Sequence, residues 1–303
     1  AAGVTATSGG SGGNGGSSNA CGIPVPQTYE EAMGSDQREQ WQLAMDEEMA
    51  CLLERGTWRL VEPPPGAKVI KGKWVYSLKL GPKGELERFK ARYVAKGCSQ
   101  REGVDYTEVF APTGRSTTLR SLLAIAAAER YVVHQLDVKT AYLYGDIEEE
   151  VYVQQPPGYV TDASLACRLE KALYGTRQGA RAWNKKLTEE MREMGFEPSA
   201  ADPSLFVGWV ETAEGSVRVL VHVDDMLIAA PTHGAAEAFK AALGAKFAIK
   251  DLGMAKFFLG MEIEQRDGEI VLSQKRYSRE IVEEIGMGGA APAETPMQPG
   301  FQW

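Results

Sequence analysis

The chain has 303 residues, 44% of them apolar, and a formal net charge of −8. That length exceeds an ordinary single domain and predicts two or three lobes with an ample core, while the acidic balance argues against a uniformly basic nucleic-acid binder. No apolar run reaches the ~18 residues of a membrane helix, the N-terminus lacks the basic-then-apolar order of a signal peptide, and Cys21, Cys51, Cys98 and Cys167 form no Cys-x-x-Cys pair; a reducing compartment fits best.

Residues 1–27 begin with a run of Gly, Ser, Ala, Thr and Asn and predict a flexible linker between modules of a longer polyprotein. From about Asp36 to Arg55, the spacing of Trp41, Ala44, Met45, Glu48 and Leu52 predicts an amphipathic helix ending at Gly56. Thr57 to Val61 reads as a short strand stopped by Pro63-Pro64-Pro65.

Residues 73–96 are more informative. Trp74, Tyr76 and Leu78 alternate with Lys73, Ser77 and Lys79; after a Gly81-Pro82-Lys83-Gly84 turn, Phe89, Ala91 and Tyr93 alternate with Arg88, Lys90, Arg92 and Lys96. Period 2 predicts a hairpin with an aromatic underside and a basic upper side. Residues 68–101 hold ten Lys or Arg against two Glu, so the acidic average conceals a basic ribbon. A solvated strand face usually carries both signs; one sign alone favours contact with phosphates.

Residues 115–130 predict a mostly buried helix, and Tyr131 to Val138 a strand that ends on Asp137. An Asp there is either a helix cap or a ligand. Lys139 to Gly145 is a tight turn that places Tyr142 five residues past the acid. After an acidic piece (Asp146 to Glu150) and a strand at Val151-Tyr152-Val153, a helix is entered through Leu173 to Trp183 and runs to about Met194. Ala180, Trp183, Leu187, Met191 and Met194 share its apolar face, and Arg177, Arg181 and Lys185 a basic one. That basic stripe is either solvated or, starting at a helix N-terminus, suited to phosphates.

Leu205 to Val207 and Val217 to Val223 predict two strands, the second running into Asp224-Asp225 and then Met226-Leu227-Ile228. Two carboxylates in an apolar run need compensation, since unit charges ~4 Å apart repel by about 4 kcal/mol at an effective dielectric near 20. Either the pair is a hairpin tip in water or it binds a divalent ion with a third oxygen ligand from elsewhere, for which Asp137 is the candidate. A helix over about 235–243, a β-like stretch from Phe257 to Ile263 paired with Glu269 to Ser273, and a helix over about 274–285 complete the pattern. Met297 to Trp303 reads as irregular and cut.

Six blocks carry a resemblance: Lys73-Trp74-Val75-Tyr76; Phe89 to Gly97 (FKARYVAKG); Asp137 to Leu143 (DVKTAYL); Leu173 to Gln178 (LYGTRQ); Val223-Asp224-Asp225; and Phe258 to Ile263 (FLGMEI). In this order they resemble the reverse transcriptase of copia-type LTR retrotransposons from about Trp41 to Pro296. Some positions differ from the family's pattern: His222 replaces Tyr before Val-Asp-Asp, Tyr144 replaces Asn, Thr113-Gly114 replaces Val-Ala, and Thr176 to Arg181 departs from Leu-Lys-Gln-Ala-Pro-Arg.

The resemblance implies an α+β, right-hand polymerase with a ferredoxin-like palm, helices on one face of an antiparallel sheet, β-hairpin fingers and a partial thumb. It implies fingers over 28–130, a palm over 131–250 with a finger–palm segment at 146–200, and a primer grip with the truncated start of a thumb over 251–303. The implied activity is RNA-directed DNA polymerisation, with Asp137, Asp224 and Asp225 holding two Mg²⁺ ions, Mn²⁺ being an alternative. Lys90, Arg92, Tyr142 and Gln178 would contact the dNTP, Tyr142 excluding a 2′-hydroxyl by bulk. His222, Arg177, Arg181, Leu259, Gly260 and Met261 would contact primer and template, Gly260 by allowing close backbone approach. Implied partners are an RNA or DNA template with a primer (a tRNA), dNTPs, and adjoining integrase and RNase H modules, with no membrane; the implied location is a cytoplasmic virus-like particle or the nucleus. The alternative is a drifted remnant that binds primer–template without chemistry.

Overall fold

The computed structural model describes residues 22–81, 85–103, 105–211 and 214–291. The Gly81-to-Gly84 turn (beyond Gly81), most of the N-terminal linker and the irregular end from Met297 to Trp303 lie outside the described residues. Of the linker span, residues 22–27 are described, and Val25 packs against a buried core.

Helix α1 (Tyr29–Met33) leads into α2 (Arg38–Glu54), then strands β1 (Trp58–Val61), β2 (Val69–Ile70), β3 (Gly72–Leu80) and β4 (Leu86–Ala95). Helix α3 (Ser116–Ala128) precedes β5 (Val132–Val138) and a 3₁₀ turn, Ala141–Tyr144. Short strands β6 (Tyr152–Val153) and β7 (Ala166–Leu169) lead to α4 (Gly179–Glu193), β8 (Glu197–Pro198) and β9 (Leu205–Gly208). The chain continues through β10 (Val217–His222), β11 (Asp225–Ala230), α5 (His233–Gly244) and β12 (Ile249–Met254). It ends with β13 (Phe257–Phe258), β14 (Met261–Arg266), β15 (Glu269–Ser273) and α6 (Lys275–Glu284), which has no buried residue.

The main sheet has the order β12-β5-β11-β10-β9-β8, with every neighbouring pair antiparallel. Its first four strands with α4 and α5 follow a βαββαβ path in ferredoxin-like order, and this puts β5 and β11 side by side. Trp183, Leu187 and Met191 of α4 and Ala236, Phe239 and Leu243 of α5 pack with Leu136, Val138, Val219, Val221, Met226 and Ile228 on one face. Alternation sends Val133, Leu220, Leu227 and Ala229 to the other. There they meet α3 (Leu119, Leu122, Leu123) and Phe258, Met261 and Ile263 of the small β13-β14-β15 sheet. The two helices of the βαββαβ unit thus share one face, as expected, and α3 with the small sheet covers the other.

A second core lies under the β3–β4 hairpin. Trp74, Tyr76, Ala91 and Tyr93 are buried, as the period-2 pattern requires, against the stripe of Trp41, Met45, Met49 and Leu52 on α2. Trp41 meets Tyr76 and Phe89 edge-on, with centroids 5.2 and 4.6 Å apart. The hairpin thereby lies on a rigid aromatic layer with its basic side chains turned outward. The short sheet β1-β7-β6-β2 completes this lobe, β2 and β6 being parallel.

Candidate active site

The β10–β11 hairpin closes with His222 opposite Asp225, so Val223 and Asp224 are its two-residue turn. Across the next pairing, Asp225 stands in register with Asp137 on β5. Directly opposed residues of an antiparallel pair share a face, with Cβ atoms ~5 Å apart. The strand-end acid and the twin acids are thus brought to one edge of the palm-like sheet, and the water-exposed tip gives way to a half-buried cluster.

The turn is held from two sides. The Val138 N–H donates to the Asp224 carbonyl at 2.8 Å, and the Trp183 indole N–H donates to the Val223 carbonyl at 2.7 Å. Val223 itself sits at φ +59°, a left-handed conformation that costs a β-branched residue about 1–3 kcal/mol.

Electrostatics matches this crowding. Burial, and then the charges of Asp224 and Asp225, raise the Asp137 carboxyl above its ordinary range, opposed by Lys90. Burial also raises Asp225, Asp224 adding to the shift while His222 and a hydrogen bond from Gln135 oppose it. Among the described residues no ion pair engages any of the three acids, and no three His, Cys, Asp or Glu side chains already form a cage for an ion. The donor set nevertheless fits Mg²⁺, a hard ion that takes one or two carboxylates and fills its remaining positions with water or phosphate oxygens.

Around the acids stand groups of the other sign. Lys90, half-buried beside Arg92, Lys79 and Arg88, is lowered to about 8, chiefly by burial. The Arg92 guanidinium lies 4.8 Å from the centre of the Tyr174 ring, which in turn meets Tyr142 edge-on at 4.7 Å. Tyr142 is raised by burial and then by the charge of Asp224. A continuous line of contacts, Arg92 to Tyr174 to Tyr142, therefore joins the basic hairpin to the acidic edge.

Other expected site residues lie differently. Gln178 is 3% exposed; it accepts from Gln100 Nε2 at 3.0 Å and donates to the Asp105 carbonyl at 3.1 Å and to Glu149 at 3.4 Å. Its amide thus has protein partners on both its oxygen and its nitrogen. Arg181 pairs with Glu108 at 2.7 Å, Lys185 with Glu148, and Arg177 Nε donates to the Gly97 carbonyl at 3.3 Å, so acidic neighbours and backbone engage the basic stripe. The imidazole Nδ1 of His222 is buried with no hydrogen-bond partner among the described residues. Leu259 (φ +48°) and Gly260 (φ +78°) are the turn between β13 and β14, and Met261 is buried against the palm-like sheet. A Cβ on Gly260 would meet no protein atom within 4 Å, so within the protein it is the positive φ that calls for glycine.

Three participants escaped the sequence reading. Tyr174 and Trp183 lie in noted segments but look like core. Glu48 shares the spacing of the apolar stripe of α2; it is raised by burial and accepts from the Tyr93 N–H at 3.3 Å beneath Lys90 and Arg92. A carboxylate on an apolar helix face was the available signal.

The fold is a ferredoxin-like βαββαβ sheet with three carboxylates gathered at the ends of neighbouring strands. A model of the family described as Reverse transcriptase (RNA-dependent DNA polymerase) matches residues 55–299, and the chain belongs to that family. It is 38% identical over 277 residues to the Retrovirus-related Pol polyprotein from transposon TNT 1-94 of Nicotiana tabacum, covering 90% of this chain and 21% of that one. It is likewise 38% identical over 275 residues to the corresponding polyprotein from transposon RE2 of Arabidopsis thaliana, covering 90% and 18%. The chain thus spans about a fifth of the length of these curated relatives and corresponds to the reverse transcriptase domain of copia-type Pol polyproteins. Among solved structures it is similar to the foamy viral protease-reverse transcriptase in complex with ds DNA, at TM-score 0.43 and 13% identity, covering 80% of this chain and 36% of that one.

Proposed function

We propose that this chain extends a primer 3′-end with deoxynucleotides on an RNA or DNA template, as the reverse transcriptase of a retrotransposon polyprotein. The observation that carries the reading is the register of Asp137 against Asp225, with Asp224 in the adjoining turn. These three acids would hold two divalent ions, Mg²⁺ by preference, which when bound would acidify the primer hydroxyl and neutralise the leaving pyrophosphate. Lys90 and Arg92 would bind the triphosphate. Lys90, at about 8, is mostly protonated at neutral pH, and the planar guanidinium of Arg92 suits two-point contact with phosphate oxygens. Tyr142 would exclude a 2′-hydroxyl by bulk, a role supported by its packing against Tyr174 and the start of α4. Residues 28–130 would act as fingers, 131–250 as palm, and 251 onward as primer grip and start of the thumb. A tRNA primer, integrase and RNase H neighbours and a cytoplasmic particle belong to the same proposal.

The test is primer extension on poly(rA)/oligo(dT) with Mg²⁺ or Mn²⁺. The native chain extends the primer, and Asp224→Asn does not while keeping its duplex affinity. Duplex binding by the native chain without incorporation refutes the polymerase and leaves a binding remnant.

A further inference from the structure

We propose that Trp183 is a positioning residue for the twin acids: its indole N–H holds the backbone turn that presents Asp224. The inference rests on the polymerase reading for its kinetic consequence, but not for the geometry. Val223 is β-branched and sits at φ +59°, and its own side chain has no polar atom to support that conformation. The Val223 carbonyl accepts from Trp183 Nε1 at 2.7 Å.

Trp183 cannot easily swing away. It is 2% exposed, edge-on to Phe247 with centroids 5.2 Å apart, and tilted against Tyr144 at 6.1 Å. The segment after Asp137 presses on the same turn of α4, since a Cβ on Gly145 would stand 2.6 Å from the Trp183 backbone nitrogen. One residue is thus hydrogen-bonded to the carrier of Asp224 and pinned beneath the segment that follows Asp137. A core filler would need the ring alone; positioning needs the N–H as well.

The experiment separates ring from N–H. Trp183→Phe, and 3-benzothienylalanine at position 183 (the same bicyclic shape with sulfur in place of N–H), are measured alone and with Val223→Gly. Readouts are kcat and KM for dTTP on poly(rA)/oligo(dT), Tm, and hydrogen exchange of residues 222–226. Loss of the hydrogen bond lowers kcat about tenfold, with KM for dTTP within about twofold. Exchange rises in the turn but not along β5. Val223→Gly recovers part of the loss, because glycine adopts positive φ without steric cost.

Unchanged kcat and exchange in the sulfur analogue overturn the proposal, as does a loss that follows Tm and is not recovered by Val223→Gly. If Trp183→Phe does not fold, the isosteric analogue decides. Should the native chain not extend a primer, the polymerase reading falls, and exchange in the turn alone decides whether the indole holds it.

Discussion

Replacing Asp225 by asparagine should stabilise this protein in metal-free solution. Asp137 and Asp225 face each other in register, Asp224 lies beside them, and burial together with mutual repulsion raises both opposed carboxyls. At ~5 Å and an effective dielectric near 20, one such pair repels by about 3 kcal/mol. Both acids are half exposed, and screening by solvent and salt reduces that to ~1 kcal/mol. For a domain of this size, each kcal/mol corresponds to roughly 2–4 °C in Tm.

The substituted amide can still accept the hydrogen bond from Gln135 while the charge is removed. In EDTA at pH 7.5, thermal unfolding by circular dichroism should therefore show a Tm a few degrees higher for Asp225→Asn. The sign follows from the direction of the shift. A carboxyl raised in the folded state costs stability when ionised, fully so above its folded value, and the cost vanishes below the unfolded value near 4. The gain from asparagine should then fade as pH is lowered towards 4. Added Mg²⁺ should stabilise the native chain more than the variant and narrow the gap. A Tm that falls on substitution, or a gain that persists unchanged at pH 4, would refute the reasoning.

Other outcomes follow from the same geometry. Tyr142→Val should raise ribonucleotide incorporation at least tenfold, read as the rATP:dATP ratio of kcat/KM; unchanged discrimination removes the ring as the sugar gate. Gly97→Ala should destabilise by about 2 kcal/mol or more, because its Cβ would stand 2.1 Å from the Gly175 carbonyl oxygen, and a denaturant titration checks it. His134 is lowered by burial and then by the charges of Lys240 and His233. A depressed His withdraws stability as pH falls from its unfolded value near 6.5 through its folded one, so urea midpoints should drop between pH 7 and pH 5, and less in His134→Gln.

The twin-acid hairpin was legible because an apolar, β-branched run breaks there on two carboxylates, and β5 because Val132, Val133 and Leu136 lead up to Asp137. The hairpin, α2, α3 and α4 were legible because their periods are clean. Strand β12 was not seen: Ile249-Lys250-Asp251-Leu252-Gly253-Met254 mixes charge and glycine, and it lies at a sheet edge with a register irregularity between Asp251 and Met254. Strand β7 has four residues, too short to display a period. Gln178 was assigned by resemblance, and what buries it is a tertiary network with Gln100 and Asp105 that no local pattern encodes. The partners that engage the basic stripe, Glu108 and Glu148, likewise come from segments distant in sequence.

What a periodic pattern least reveals is how the basic hairpin comes to face the acids. Two glycines settle it: the Gly97 N–H donates to the Gly175 carbonyl at 3.1 Å, and the Ala95 N–H to the Tyr174 carbonyl at 2.8 Å. A Cβ on Gly175 would lie 2.1 Å from the Ala95 carbonyl oxygen, and Gly175 has φ +87°, so both space and conformation require glycine there. This backbone-on-backbone crossing ties the end of β4 to the segment that enters α4. The same segment carries Tyr174, which bridges Arg92 to Tyr142 beside Asp224. Cation-bearing and acid-bearing lobes with separate hydrophobic cores are thus held in one register by main chain, which side-chain substitution on the surface does not loosen. Triphosphate binding on the hairpin and chemistry at the acids would then be set by the same crossing, and a side chain at either glycine would separate them.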